Sequence, residues 1–226
     1  MPESRAKADI WDMDGVIADT ASYHFKAWQE VFHGRGVNYT EGDFRRNFGK
    51  RNDSIIRDIL GEETPQSEVD TITREKEETF RKVIGQDIKP FPGAVELLKS
   101  LREHGFRLAL ASSAPIENIR IITEGLGIDN YFHSIVTGRD VAEGKPSPQG
   151  FLLAAQKLGV EPKDCIVIED AIAGVTACNR AGMRCIAVTN THPGEKLAEA
   201  DLVVDSLGEV AVDDLEELFN LKDKRS

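Results

Sequence analysis

Cys165-Ile166-Val167-Ile168-Glu169-Asp170 runs four apolar residues straight into two carboxylates. A short run that is apolar throughout, with no polar alternation, marks a strand buried on both faces. The pattern recurs outward from it in Arg107-Leu108-Ala109-Leu110-Ala111, Ser134-Ile135-Val136-Thr137, Arg184-Cys185-Ile186-Ala187-Val188 and the short Leu202-Val203-Val204. Helical segments separate these runs. One opens at Pro92-Gly93, places Ala94, Leu97, Leu98 and Leu101 on one face, and stops near His104-Gly105. Others begin around Pro115 and at Ser147-Pro148, where a proline suits the first turn, and a small-residue helix runs through Ala177. Such alternation predicts an α/β fold, a doubly wound parallel sheet with helices on both faces, that is, a Rossmann-like core.

Ala8-Asp9-Ile10-Trp11 adds a strand at the start. The pattern then changes until residue 90. Thr20–Phe32 reads as a helix, and Thr40 to Gly85 is charged and helical without a convincing strand. The expected organisation is a core of residues 1–19 and 90–226 with a helical lobe, 20–89, inserted after the first strand. A structureless connection of that length is rare in compact domains.

The 226 residues suffice for one core and a smaller lobe, and the 40% apolar and 30% charged fractions exclude a disordered chain. No apolar run approaches the roughly 18–20 residues needed to span a bilayer. Met1-Pro2-Glu3-Ser4-Arg5-Ala6-Lys7 has no apolar stretch behind its charges, so the expectation is no secretory signal and a cytoplasmic protein. Cys165, Cys178 and Cys185, odd in number and without a CxxC pair, read as buried thiols. A formal charge of −11 argues against nucleic-acid and membrane partners and accompanies the expectation of a monomer.

The polar residues fall at the strand ends. Asp12 and Asp14 follow the first strand, Ser112 and Ser113 the second, Gly144-Lys145-Pro146 lies after the third, and Glu169-Asp170 after the fourth. In a parallel sheet these ends share the carboxyl edge, where open α/β folds bind ligands. Two carboxylates about 4 Å apart repel by roughly 4 kcal/mol at an effective dielectric of about 20. Such a cluster therefore calls for a cation, and oxygen donors select magnesium or calcium over zinc. Lys145 supplies a point charge for phosphate oxygens, and Ser112 a hydroxyl beside backbone amides. The set suits the holding of a phosphoryl group. Asp12-Met13-Asp14-Gly15 also opens like an EF-hand loop, but Val16, Ile17 and Tyr23 stand where that loop needs a ligand, a glycine and a glutamate.

Asp12-Met13-Asp14-Gly15-Val16-Ile17-Ala18-Asp19-Thr20, Ala111-Ser112-Ser113, Gly144-Lys145-Pro146 and Val167-Ile168-Glu169-Asp170-Ala171 together resemble, in order, the four motifs of the haloacid dehalogenase superfamily. The inserted lobe is similar to that family's small cap domain. Asp19 through Trp28 resembles the β-phosphoglucomutase-like group. The resemblance implies a magnesium-dependent enzyme in which Asp12 is the nucleophile that forms an aspartyl-phosphate and Asp14 is the general acid and base. It implies a metal shell of Asp12, the Asp14 carbonyl, Asp170 and Glu169. It also implies phosphate or substrate contacts from Ser112, Ser113 and Lys145, and from Thr20, His24, Arg51 and Lys76 on the lobe side. A second carboxylic acid beside a metal-bound one is expected to hold its proton, which suits Asp14 to phosphate chemistry. Glu75, Glu77 and Glu78 read as a solvated helix face.

The implied substrate is a small phosphorylated metabolite, a sugar phosphate, and the expected reaction is its hydrolysis. The alternative is a phosphohexose mutase of the β-phosphoglucomutase type. After Ser113, however, Pro115 and Ile116 stand where mutases carry anion-binding side chains, although Asn118 lies nearby. A phospho-accepting receiver module is a remote third reading. Such modules are about half this length, lack a helical insert, and carry the acceptor aspartate after a middle strand.

Overall fold

Strand β1 (Ala8–Trp11), buried at every residue, lies in the middle of a six-stranded sheet. The protein is described here by a computed structural model covering residues 6–85 and 88–220. The other strands are β2 (Arg107–Ala111), β3 (Ser134–Val136), β4 (Cys165–Glu169), β5 (Arg184–Val188) and β6 (Leu202–Val204). Their order is β3-β2-β1-β4-β5-β6, and every neighbouring pair is parallel. The order reverses at β1, so this strand's carboxyl end is the switch point of the sheet.

Side chains alternate along each strand between two apolar layers. Trp11, Leu108, Leu110, Ile166 and Ile168 face α5 (Ala94–Glu103), α6 (Ile116–Gly125) and α9 (Val212–Asn220). Ala8, Ile10, Ala109, Ala111 and Val167 face α7 (Gln149–Leu158) and α8 (Ile172–Arg180). Burial on both faces is why the strand interiors are mostly apolar, without a polar alternation.

Four helices, α1 (Ala21–His33), α2 (Glu41–Asn47), α3 (Asn52–Leu60) and α4 (Gln66–Val83), fill the insert after β1. They carry a core of their own in which Trp28, Phe32, Tyr39, Ile56 and Ile72 meet. Ala27 and Phe80 join the core of the sheet. The chain enters and leaves the insert at adjacent points, where the Asp19 N–H donates to the Lys89 carbonyl at 3.1 Å. Of the expected boundaries, residues 1–5, 86–87 and 221–226 lie outside the described residues, as does most of the N-terminal segment read for a secretory signal. Among the described residues, no helix is long and apolar enough to cross a membrane.

Three local details depart from the sequence-based expectations. Ser147 does not cap α7, which starts at Gln149 with Pro148 in the capping position. Thr137 leaves the strand because the Asp140 carboxylate captures both its N–H and its hydroxyl. Helix α9 escapes detection because only Leu215 and Leu218 of its nine residues are buried.

Candidate active site

Parallel pairing carries the functional residues to one edge. The Asp12 N–H extends the ladder to the Ile168 carbonyl, and the Ser112 N–H extends it to Val136, each at 3.0 Å. Asp12, Asp14, Ser112 and Ser113 therefore meet His24, Lys76, Trp28 and Phe48 of the helical insert around one cavity of about 50 Å³. Lys145 reaches the same point from the loop after β3, with Nζ bonded to Asp12 Oδ1 and Glu169 Oε1.

Asp12 is almost fully buried. Burial first, then the charges of Glu169 and Asp14, push its carboxyl up to about 7 against the opposing pull of Lys145. For Lys145 burial acts downward, but the Asp12 and Glu169 carboxylates outweigh it and hold the ammonium charged. Asp170 is pushed well above the usual range by burial and by Glu169 and Asp12, with Thr191 donating to its Oδ2.

Asp14 behaves differently from its expectation. Burial pushes it up, but the His24 ring, the Thr20 hydroxyl and the Lys76 charge outweigh that and hold the carboxyl below its ordinary value. Thr20 Oγ1 donates to Asp14 Oδ1 at 2.5 Å, and His24 Nε2 lies 3.1 Å from the same oxygen. Lys76 Nζ lies 3.0 Å from His24 Nδ1. An ammonium has only donors, so Nδ1 accepts and Nε2–H donates to Asp14. His24 is further fixed by stacking on Phe80 at 4.0 Å. These contacts favour the ionised form of Asp14, where a held proton was expected from the sequence.

Several lobe-side residues also differ from expectation. Thr20 is wholly buried and donates its hydroxyl to Asp14. Arg51 lines not the cavity around Asp12 but the two beside it, one of them shared with Ser112, Ser113 and Lys145. Its guanidinium donates to the carbonyls of Val141 and Ala142 at 3.2 and 3.0 Å and pairs with Asp53 at 3.3 Å, clasping the loop that carries Lys145. Ser113 Oγ donates to the Gly49 carbonyl at 3.3 Å, a second tie between core and insert. Ser112 Oγ accepts from the Ala114 N–H at 3.1 Å while facing the cavity.

Among the described residues, no three acidic or imidazole side chains converge in metal-ligating geometry. Glu169 Oε1 holds Lys145 while Oε2 accepts the N–H groups of Asp170 and Ala171, each at 3.0 Å. Asp12 and Asp170 face each other closely enough that the Asp12 charge helps to raise the Asp170 carboxyl. An all-oxygen set with excess negative charge fits a hard divalent cation that keeps waters and one phosphate oxygen. Gly15 makes room for the Asp170 carboxylate: at φ +88°, a Cβ there would stand 2.0 Å from Asp170 Oδ2.

Lys50, Asn52 and Glu77 also line the cavity. Glu77, read as solvated, is 6% exposed. The signal that finds its neighbour is the stripe Val69, Ile72, Lys76, Phe80, which puts Lys76 on the buried face of α4.

Residues 10–188 match the family described as haloacid dehalogenase-like hydrolase, and the chain belongs to that family as an enzyme of the phosphohydrolase and phosphotransferase class. Within the family its likeness is to the β-phosphoglucomutase-like group. It is 35% identical to β-phosphoglucomutase of Bacillus subtilis over 219 residues, covering 93% of this chain and 94% of that one. It is also 35% identical to the fructose-1-phosphate phosphatase YqaB of Escherichia coli over 182 residues, covering 79% and 94%. The crystal structure of β-phosphoglucomutase from Clostridium difficile aligns with a TM-score of 0.87 at 30% identity, over 95% and 97% of the two chains.

Proposed function

We propose that this enzyme hydrolyses small phosphorylated sugars through an aspartyl-phosphate on Asp12, with magnesium as its cofactor. The observation that carries the reading is that Lys145 grips Asp12 at the mouth of the sheet while Asp14, braced by Thr20 and His24, faces the same cavity. Asp12 and Asp170, with the Asp14 carbonyl, would hold the ion, and Glu169 would support it through Lys145. Magnesium, when bound, supplies the charge that offsets the phosphoryl oxygens and keeps Asp12 ionised at neutral pH.

An Asp12 oxygen attacks phosphorus, the bond to the leaving oxygen breaks, and that oxygen takes its electron pair and a proton from Asp14. Asp14 must gain this proton as the phosphate dianion arrives beside it, since a neighbouring negative charge favours the neutral acid. Water then attacks phosphorus, gives its proton to Asp14, and frees Asp12. Lys145 and Ser112 bind the phosphoryl oxygens, and His24 keeps Asp14 aimed. Lys76 acts through His24. The helical insert, residues 20–89, serves as a cap that excludes bulk water. The same reading places the protein in the cytoplasm as a monomer, in keeping with its three free, buried cysteines.

The likeness to β-phosphoglucomutases favours one second reading, transfer of the phosphoryl group to another sugar hydroxyl. A panel of sugar phosphates with magnesium separates the two. Release of inorganic phosphate is expected. Glucose 6-phosphate formed from β-glucose 1-phosphate and catalytic glucose 1,6-bisphosphate, without free phosphate, would establish the mutase. Undiminished turnover of p-nitrophenyl phosphate by Asp12→Asn would overturn both.

A further inference from the structure

Asp14 is aimed by His24, and His24 rests in turn on Lys76. The next residue, Glu77, is buried beside them and has no part in the phosphoryl steps described above. Lys76 is 3% exposed, and its ammonium has two hydrogen-bond partners among the described residues, His24 Nδ1 at 3.0 Å and Glu77 Oε1 at 2.8 Å. The rings of Trp28 and Phe80 close over it, each centroid 5.4 Å from Nζ. A charge enclosed in this way is strongly unfavourable unless a counter-charge meets it. Glu77 is that counter-charge.

Glu77 is itself fixed from two sides. Oε1 also accepts from Asn52 Nδ2 of the insert at 2.6 Å, and Oε2 accepts from Asn118 Nδ2 of the core helix α6. Asn118 is fully buried, and Arg81 donates to its Oδ1 at 3.1 Å, which leaves the amide's N–H groups for Glu77. Burial acts to raise Glu77, but Lys76, His24 and Asn52 outweigh it and keep the group ionised. A brace thus runs from the core through Asn118, Glu77, Lys76 and His24 and returns to the core at Asp14.

We propose that Glu77 is a positioning residue for the acid–base step. It holds the Lys76 ammonium against His24 Nδ1, which keeps Nε2–H on Asp14 and aims that carboxyl at the leaving oxygen. Without the Glu77 charge, Lys76 keeps one neutral acceptor for three donors inside an apolar shell, and it withdraws from His24. The proposal rests on the reading of Asp14 given above and deepens it.

The test compares kcat/KM for phenyl phosphate and p-nitrophenyl phosphate, with magnesium, in the wild type, Glu77→Gln and Asp14→Asn. The two esters are alike in shape and carry no sugar hydroxyl, but phenolate departs far less readily than p-nitrophenolate without a proton. Glu77→Gln should lower the value by about tenfold or more for phenyl phosphate and by about threefold or less for p-nitrophenyl phosphate. A smaller fraction of folded enzyme lowers both alike, so equal losses would overturn the assignment. Nitrogen NMR of His24 is the second readout. Nδ1 should give the signal of an unprotonated, hydrogen-bonded acceptor in the wild type and lose that signature in Glu77→Gln. A protonated Nδ1 in the wild type, or a spectrum unchanged in the variant, refutes the brace. Should Glu77→Gln not fold, the double variant Lys76→Met/Glu77→Gln, which leaves no charge unpaired, takes its place in the ester comparison. Equal losses in Asp14→Asn, with the His24 signal still dependent on Glu77, would remove Asp14 as the acid and leave the brace standing.

Discussion

Two carboxylates two residues apart are driven in opposite directions, and the cause lies in what each one touches. Asp12 faces Glu169 and Asp14 and is pushed up to about 7, whereas Asp14 has His24, Thr20 and Lys76 and is held low. A carboxyl raised on folding contributes stability below its unfolded value, and that contribution is lost as pH rises through about 7. Asp12→Asn should therefore raise the Tm of the metal-free protein, by several degrees at pH 8 and by less at pH 5, while abolishing turnover; thermal melts at the two values check it. For Asp14 the sign is reversed. Removing the His24 support in His24→Asn lets its carboxyl rise, so the acid limb of the kcat–pH profile should move to higher pH and kcat should fall by roughly ten- to a hundredfold. A KM effect with an unmoved acid limb would leave His24 a mere wall of the pocket. Asp12, Asp14, Ser112, Lys145 and Asp170 were legible because each follows a recognisable apolar strand. The partners of Thr20, Arg51 and Glu77 were not, because they are set by tertiary contact, as with Arg51 and Ala142, 91 positions apart.

At the scale of elements, loops and helix starts hold the site by close approach. Gly15 lies at φ +88°, and any side chain there collides with Asp170 Oδ2. Gly15→Ala should shift Asp170, so the magnesium concentration for half-maximal activity should rise about tenfold or more, the usual scale for disturbed metal support. Titration of activity with magnesium is the measurement. Arg51, at the start of α3, grips the carbonyls of the loop after β3. Its truncation in Arg51→Ala should lower kcat for p-nitrophenyl phosphate and a phosphosugar alike, by about tenfold, since a misplaced Lys145 affects every substrate. A rise in KM confined to the phosphosugar would return Arg51 to substrate binding. The six strands were visible in the sequence because a sheet covered on both faces leaves no polar alternation, whereas α9, with two buried residues, has too little periodicity to read.

For the molecule as a whole, β1 sits at the switch point, with β2 and β4 as its neighbours and the insert rising directly from its carboxyl end. The α/β class and the helical insert followed from the sequence because the change of pattern at residue 90 is a change of architecture. The seat of the insert on the core did not, since Ser113 and Arg51 meet main-chain carbonyls that carry no side-chain signature. The cavity of about 50 Å³ around Asp12 holds on the order of four waters. That is the scale of an orthophosphate ion, and an adjoining cavity of about 530 Å³ offers space beyond it. In the proposed hydrolysis, a swing of the lobe about the paired crossings at Asp19 and Lys89 would open that space between turnovers, a displacement through solvent and hence subject to friction. Thickening the medium with sucrose should slow kcat in proportion to viscosity for a fast substrate and leave a sluggish one untouched.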